Sequence, residues 1–164
     1  MSVTRADMLD ALKTCFVPAL RDLKFKGTMP HFYRVRGDHV DLASVQFSGG
    51  GGEFIVEIAF MDAARTNGIV GRRGPPDAAE PVRREHDEPP ASMRVASTAQ
   101  RLRLGASTHA DPPERRGDDF WFNYRDGSRG SYEKGVRGAP AKLASLAARL
   151  LVEQGEPWWR SHHA

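Results

Sequence analysis

The sequence is poor in cysteine, which restricts the covalent and metal chemistry open to it. Cys15 is the single cysteine among 164 residues, so an internal disulfide and a paired-thiolate metal site are both excluded. One isolated cysteine is typical of a protein from a reducing compartment, and we therefore expect a cytoplasmic location. No charged or histidine neighbour is evident to activate the thiol, which predicts a small core residue.

Long apolar runs are also lacking. No stretch of about 18 apolar residues occurs, so the sequence predicts no membrane span. Residues 1–10 carry charges and no apolar segment, and we expect no signal peptide. These absences favour a soluble protein.

Motifs that specify a reaction are absent as well. The six histidines show no metal-site spacing, and Gly49–Gly52 precedes a strand rather than a lysine-bearing helix as in a phosphate-binding loop. No nucleophile motif of the G-x-S-x-G type is present, and the adjacent Asp118 and Asp119 would point to opposite sides of an extended chain. The sequence therefore predicts no catalytic residue, no metal site and no cofactor.

Positive charge is present without being concentrated. The chain has 24 basic and 21 acidic residues: seven and seven over residues 1–61, five and six over 62–92, and twelve and eight over 93–164. A protein that neutralises many phosphates needs clustered positive charge. The distribution therefore does not favour a nucleic-acid partner.

One helix is predicted near each end of the chain. Thr4 is in position to cap the first, whose apolar residues recur every three or four positions: Met8, Leu9, Leu12, Phe16, Leu20 and Leu23. Pro18 interrupts this pattern and either kinks the helix or begins a second short one. The other helix has Pro140 in its first turn and Gly155 just past its end. We expect Pro157-Trp158-Trp159 to fold back, because exposed tryptophans are unfavourable in water.

Five strand-like segments lie between the helices. The first three are His31–Arg36, Val40–Phe47 and Phe54–Met61, and their short connections favour an antiparallel meander. The third is apolar on both faces, which predicts a central strand. Two further strands are predicted within Ala99–Leu104 and Phe120–Tyr124. The fold class is therefore α+β, with an antiparallel, meander-like sheet of about five strands packed by an N-terminal and a C-terminal helix.

We expect a single domain over residues 1–164, because this length supports one hydrophobic core. Residues 62–92 are rich in Gly, Pro and Arg and contain few large apolar side chains. This composition predicts a long exposed loop. Residues 70–92 are expected to be the most mobile internal segment, because little burial is available there to offset the ordering entropy.

The candidate binding residues are Arg101, Arg103, Trp121, Tyr33 and Gln46. Leu102 and Leu104 should face the core, which turns the two arginines outward. Trp121 should point opposite to the phenylalanines on either side of it and share the outward face. Arginine and tryptophan both contribute strongly to interfaces.

Two points about this surface stay open at the level of sequence. Gln46 is in phase with Val40 and Leu42, whereas Val45 and Phe47 occupy the other face, so its side is not fixed. The arginines could instead pair with acids such as Glu57, with the tryptophan packed under a helix.

The ordered segments resemble a bacterial family described only as domain of unknown function four-three-zero-four. The resemblance rests on Leu23-Lys24-Phe25-Lys26, Phe32-Tyr33-Arg34 with Gly37-Asp38, Val45-Gln46-Phe47-Ser48, Phe54-Ile55-Val56-Glu57-Ile58, Arg101-Leu102 and Phe120-Trp121-Phe122. This chain departs from the family pattern in its longer Pro-rich loop after Met61 and its Gly49–Gly52 run. The resemblance implies an α+β domain. It implies no activity and supplies no catalytic residue.

Two functions remain as hypotheses. The favoured one is a non-catalytic binding or accessory protein, of an immunity type, that recognises another bacterial protein. The alternative is a small enzyme or nucleic-acid-processing protein with a cleft near Arg101, Arg103, Trp121 and Tyr33. A pocket with convergent titratable groups would favour the enzyme. An exposed complementary patch is all that binding requires. Oligomeric state is not predicted.

Overall fold

The computed structural model describes residues 2–62, 100–105, 120–125 and 135–162. Within these ranges, a seven-stranded sheet packs against two helical runs, one N-terminal and one C-terminal. The predicted loop at 62–92, with the mobility expected of it, lies outside the described residues apart from Asp62, which ends a strand.

The N-terminal run consists of α1 (Arg5–Ala11), a π-helical turn (Leu12–Phe16) and α2 (Val17–Asp22). Thr4 caps it as predicted. The Asp7 N–H donates to Thr4 Oγ1 at 3.2 Å, and the Thr4 N–H donates to Asp7 Oδ2 at 2.7 Å. The hydrogen bonds from the Thr4 backbone and hydroxyl stabilise the carboxylate and hold the pKa of Asp7 below its ordinary value of 3.8.

The C-terminal run has the same design: α3 (Pro140–Leu150), a second π-helical turn (Leu151–Gly155) and α4 (Glu156–His162). The prediction that Gly155 lies just past the end of the helix is wrong. The chain continues as a helix through Pro157, and Trp159 is fully buried, as the expected folding back of the tryptophan pair requires.

A proline stands two residues after the end of each π-helical turn. The Val17 N–H donates to the Leu12 carbonyl and the Glu156 N–H to the Leu151 carbonyl, each five residues back, and the next residue is Pro18 or Pro157. Proline has no N–H to donate, and its ring crowds the carbonyl four residues earlier. The wider turn relieves this crowding. The second alternative for Pro18 holds, because Pro18 lies in the first turn of the short helix α2. The chain nevertheless stays helical from α1 to the end of α2.

The first four strands form an antiparallel meander, and the last three of them are the meander that the sequence predicts. They are β1 (Lys26–Thr28), β2 (His31–Arg36), β3 (His39–Phe47) and β4 (Glu53–Asp62), each paired with the next. β4 is central and buried on both faces, as its two apolar faces predict.

Three short strands continue the sheet beyond the edge of β4 that faces away from β3. They are β5 (Arg101–Arg103), β6 (Trp121–Asn123) and β7 (Gly135–Arg137). β5 and β6 both pair with β4 antiparallel, along different parts of its length, and β7 pairs with β6 in parallel. The sheet therefore has more strands than the five predicted, and it is mixed. β1 and β7 were missed because their sequences, Lys26-Gly27-Thr28 and Gly135-Val136-Arg137, contain a glycine and at most one large apolar side chain.

The core lies between the two helical runs and one face of the sheet, which we call the helix face. Its largest fully buried members are Trp159, Phe16, Phe25, Phe32, Phe54, Phe122, Met8, Leu12, Leu20 and Ile58. On the opposite face a smaller buried cluster of Val40, Leu42 and Ala59 packs with Tyr33 and Met61. Among the described helices, none has the length and apolarity required to cross a membrane.

Candidate functional site

A cavity of about 460 Å³ opens where β2 begins and β3 runs on past it. His31 is the first residue of β2 and pairs with Ser44, so β3 extends three residues further, to Phe47. The Val45 N–H still donates to the Pro30 carbonyl at 3.0 Å, which holds the strand end against the turn. We call this cavity the strand-end pocket. Its described lining is Arg5, Leu9, Met29, Pro30, His31, Ser44, Val45, Gln46, Phe47, Glu57 and Arg101.

One wall of the strand-end pocket comes from α1. Leu9 contributes aliphatic surface, and the Arg5 guanidinium lies over the Phe47 ring, 4.6 Å from its centroid. A cation above an aromatic face is attracted by the ring quadrupole, worth about 0.5–1 kcal/mol at an exposed site. This contact positions the charge of Arg5 at the pocket.

The opposite wall is a polar row across neighbouring strands. His31 faces Ser44, Ser44 faces Glu57, and Glu57 faces Arg103 in the strand register. Residues that share a register position in adjacent strands project from the same face. The row therefore brings an imidazole, a hydroxyl and a carboxylate to one side of the sheet, opposite the helix face.

Two of the predicted site residues meet at Glu57. Arg103 Nη2 lies 3.5 Å from one oxygen of the carboxylate, and Arg101 Nη1 lies 4.0 Å from the other. The Arg103 side chain is 11% exposed and that of Arg101 is 46% exposed. Arg101 is therefore the arginine of this pair that solvent or a ligand can reach.

Trp121 lies on the same side as the arginines, as predicted. The Arg103 guanidinium is 5.4 Å from the centroid of its ring. Both open interpretations of the arginines hold in part: they share a face with Trp121, and they also pair with Glu57. Arg103 therefore contacts both Glu57 and the Trp121 ring. Neither Arg103 nor Trp121 is among the described residues that line the pocket.

The other two predicted site residues, Gln46 and Tyr33, lie in different places. Gln46 lies on the same face as Ser44, is exposed and lines the pocket, which fixes the side that the sequence left open. Tyr33 is on the same face too, but it packs against the cluster of Val40, Leu42 and Ala59. The structure therefore brings Gln46 and Arg101 into one site and leaves Tyr33 outside it.

Sequence reasoning missed Arg5, Leu9, Met29 and His31. A signal existed for His31, because the two-residue turn Gly37-Asp38 pairs Arg36 with His39 and, by counting back, His31 with Ser44. No comparable signal places Arg5 against Phe47, since that contact depends on how α1 packs on the sheet. Within the described part of the chain, no group of three His, Cys, Asp or Glu side chains could hold a metal ion.

Comparison with known families agrees with the resemblance seen in the motifs. The model of a family described as domain of unknown function (DUF4304) matches residues 16–129. The chain belongs to this family. No curated protein and no solved structure matches the chain. His31, Ser44, Gln46, Glu57 and Arg101 all lie inside the DUF4304 match, whereas the α1 wall of the pocket precedes it.

Proposed function

We propose that this DUF4304 protein is a non-catalytic binding protein that recognises another protein through the strand-end pocket. The observation that carries the proposal is the convergence of Arg101, Gln46 and Arg5 on one cavity of about 460 Å³. Arginine and an amide offer directional hydrogen bonds, and the apolar lining offers burial for part of a partner side chain. Such a pocket suits an anchoring residue at the centre of an interface.

The partner that we propose is another bacterial protein, met in the cytoplasm, in an immunity-type or accessory relationship. Cytoplasmic encounter is supported by the single cysteine, because a protein of oxidising compartments more often carries paired cysteines. Arg101 and Gln46 belong to exposed strand positions rather than to the core, so partner recognition can vary there at little cost to folding.

The enzyme alternative has weaker support. His31 and Ser44 are direct cross-strand neighbours, and a histidine base beside a serine nucleophile is one requirement of nucleophilic catalysis. In a hydrolytic triad the acid orients the histidine. Here Ser44 lies between His31 and Glu57, so the carboxylate is two strands away, roughly 10 Å. Glu57 also faces two arginines. These contacts favour recognition over acid–base chemistry.

A capture experiment with matched variants tests the proposal. The wild-type chain, Arg101→Ser, Gln46→Ala and the control Arg160→Ser, an exposed position in α4, are immobilised and exposed to host extract. Captured proteins are identified by mass spectrometry, and each variant's Tm is measured. We expect the control to retain the wild-type partner, and each pocket variant to lose it by about tenfold or more with unchanged Tm.

Two outcomes contradict the proposal. In the first, both pocket variants capture the same protein as the wild type in the same amount. In the second, the wild type captures nothing beyond the blank matrix.

A further inference from the structure

The strand-end pocket lies at the place that a longer β2 would occupy. β2 begins at His31, which faces Ser44, and β3 runs three residues past this pair, to Phe47. Before His31 the chain turns away from β3, because Met29 and Pro30 connect β2 to β1 on its other side. The last residues of β3 therefore form an edge of the sheet inside the pocket.

The main-chain groups of Phe47 point toward this edge. In an antiparallel ladder, the N–H and C=O of successive residues point to opposite neighbouring strands. The Ser48 N–H donates to the Glu53 carbonyl at 2.9 Å, so residue 48 faces β4. The Val45 N–H donates to the Pro30 carbonyl at 3.0 Å, so residue 45 faces the side of β2. By this alternation Phe47 also faces the side of β2, beyond the point where β2 begins.

Pro30 marks the inner end of this edge. Its carbonyl accepts the hydrogen bond from Val45, but a proline has no N–H with which to bond the Val45 carbonyl in return. An antiparallel strand that adds to β3 in the pocket can therefore run only as far as Pro30. One of its residues then stands opposite Gln46, and the preceding one stands opposite Phe47, whose N–H and C=O point toward it.

The lining of the pocket comes from both faces of the sheet. The Phe47 ring packs with the core on the helix face, beside Arg5 and Leu9. Gln46 and Arg101 lie on the opposite face. An extended chain places successive side chains on opposite faces, so a strand in the pocket would direct one side chain to each of these two sets.

We infer that the strand-end pocket takes an extended segment of the partner protein, which adds to β3 as an antiparallel strand. This inference rests on the proposed function and names how the partner is held. One residue of the segment exchanges two main-chain hydrogen bonds with Phe47. In such strand addition the main-chain bonds supply affinity, and the pockets for alternate side chains supply specificity.

The two side chains of the segment meet different surroundings. On the helix face, Leu9 and the Phe47 ring offer apolar contact, which suits an aliphatic side chain. On the opposite face, Arg101 is 46% exposed and its Nη1 lies 4.0 Å from a Glu57 oxygen, which is beyond hydrogen-bond distance. A carboxylate of the segment can therefore approach this guanidinium and complement its charge.

The test uses the full chain and the labelled peptide Gly-Ser-Thr-Val-Glu, amidated at its C-terminus, with the valine designed to stand opposite Phe47. N-methylation of the valine removes the N–H that would donate to the Phe47 carbonyl. N-methylation of the glutamate, whose N–H would point away from β3, is the matched control. Fluorescence anisotropy is measured with protein up to about 1 mM. We expect the unmodified and control peptides to bind alike, and the N-methylvaline peptide to bind about tenfold or more weakly.

A pair of protein variants locates the site. Arg101→Gln removes the charge expected to meet the glutamate, and Lys142→Gln removes a charge at an exposed position in α3, outside the described lining. We expect Arg101→Gln to weaken binding of the unmodified peptide by about fivefold or more and Lys142→Gln to leave it unchanged. The Tm of each variant is measured alongside.

Other outcomes overturn the inference. Equal affinity for the two N-methylated peptides, or no binding of the unmodified one, would mean that no strand is added. Unchanged binding by Arg101→Gln would place the peptide elsewhere. A wild-type dimer that the peptide dissociates in sedimentation experiments would mean that a second copy of this chain fills the strand position. Because no host protein is involved, failure here with pocket-dependent capture intact would remove the strand addition alone.

Discussion

Arg34 shows how a single buried charge organises its surroundings. Its Nε and Nη2 donate to Asp41 Oδ2 at 3.0 and 2.7 Å, and its Nη1 lies 2.7 Å from a Glu156 oxygen. The guanidinium is also within about 5 Å of the Phe25 and Trp159 rings. Arg34 is 7% exposed and Asp41 is fully buried. A charge so removed from water persists only with such partners.

Replacing this arginine tests its role. Arg34→Met keeps a long apolar side chain between the rings but leaves Asp41 buried without its closest cation. We expect the free energy of unfolding to fall by about 3–5 kcal/mol, measured by urea denaturation. Arg36→Met is the matched control, because Arg36 lies 3.7 Å from the same carboxylate but its side chain is 40% exposed. The control should lose less than about 1 kcal/mol. Equal losses in the two variants would show that Arg34 is not the essential partner.

Part of this cluster was readable from the sequence. Arg34 is in phase with Phe32 in β2, and the predicted hairpin places Arg34 opposite Asp41, so a charge pair on the core side could have been inferred. The contribution of Glu156 could not, because it depends on α4 continuing past Gly155.

At the scale of elements, both helical runs bury a column of residues spaced by four. The columns are Met8, Leu12, Phe16 and Leu20 in the first run, and Leu143, Ala147, Leu151, Gly155 and Trp159 in the second. In an α-helix, residues four apart drift by about 40° around the axis. A π-helical turn in the middle opposes the drift and keeps the column on one side. Strict four-residue spacing of buried residues that continues past a proline is therefore a sequence signal for such a turn.

Gly155 tests the packing of the second column. A Cβ at this position would lie 3.2 Å from the Trp159 ring and 3.6 Å from Ile58 and Leu151. Gly155→Val adds further atoms to this space, and we expect the free energy of unfolding to fall by about 1–3 kcal/mol in urea titrations. The control is Glu153→Val, the same side chain at an exposed position of the same turn. If Gly155→Val matched its control in stability, the close packing inferred here would be wrong.

The strands divide according to length. β2, β3 and β4 have six to ten residues, enough for alternation and turn chemistry to reveal them. β7 is three residues long, and it pairs with β6 in parallel. A Cβ at Gly135 would collide with the Trp121 carbonyl oxygen, so glycine permits this approach, a fact that composition alone does not reveal.

At the scale of the whole molecule, Trp159 joins segments distant in the chain. Its indole N–H donates to the Ala59 carbonyl at 2.8 Å, and its ring packs on Phe25, with centroids 5.1 Å apart. Trp158, its neighbour, is only partly buried and contacts Phe60 and His162. The two tryptophans therefore differ greatly in burial while being adjacent in sequence.

This difference predicts unequal costs of truncation. Trp159→Ala should lower the free energy of unfolding by about 3–5 kcal/mol, through the cavity left and the lost hydrogen bond. Trp158→Ala should cost at most about 2 kcal/mol. Thermal unfolding followed by circular dichroism measures both. A larger loss for Trp158→Ala would mean that α4 packs with the other tryptophan inward.

The candidate site was predictable only where strand alternation decides it. Alternation correctly placed Arg101, Arg103 and Trp121 on one face. The pocket itself requires α1 to lie beside the end of β3, and that arrangement is set by packing between segments some forty residues apart. Local sequence patterns carry no information on such packing. Arg5 could therefore not be predicted as a pocket residue, and Tyr33 was included among the candidates although it does not line the pocket.

The indole–carbonyl bond also sets a limit on how the protein can fold while it is being made. Trp159 and Ala59 are 100 residues apart in the chain. At a synthesis rate of roughly 5–20 residues per second, Ala59 is added to the chain roughly 5–20 s before Trp159. For most of that interval Arg34 also lacks its ion pair with Glu156, because Glu156 has not yet been synthesised. The nascent meander therefore lacks part of its core for seconds, and its apolar helix face stays exposed during that time.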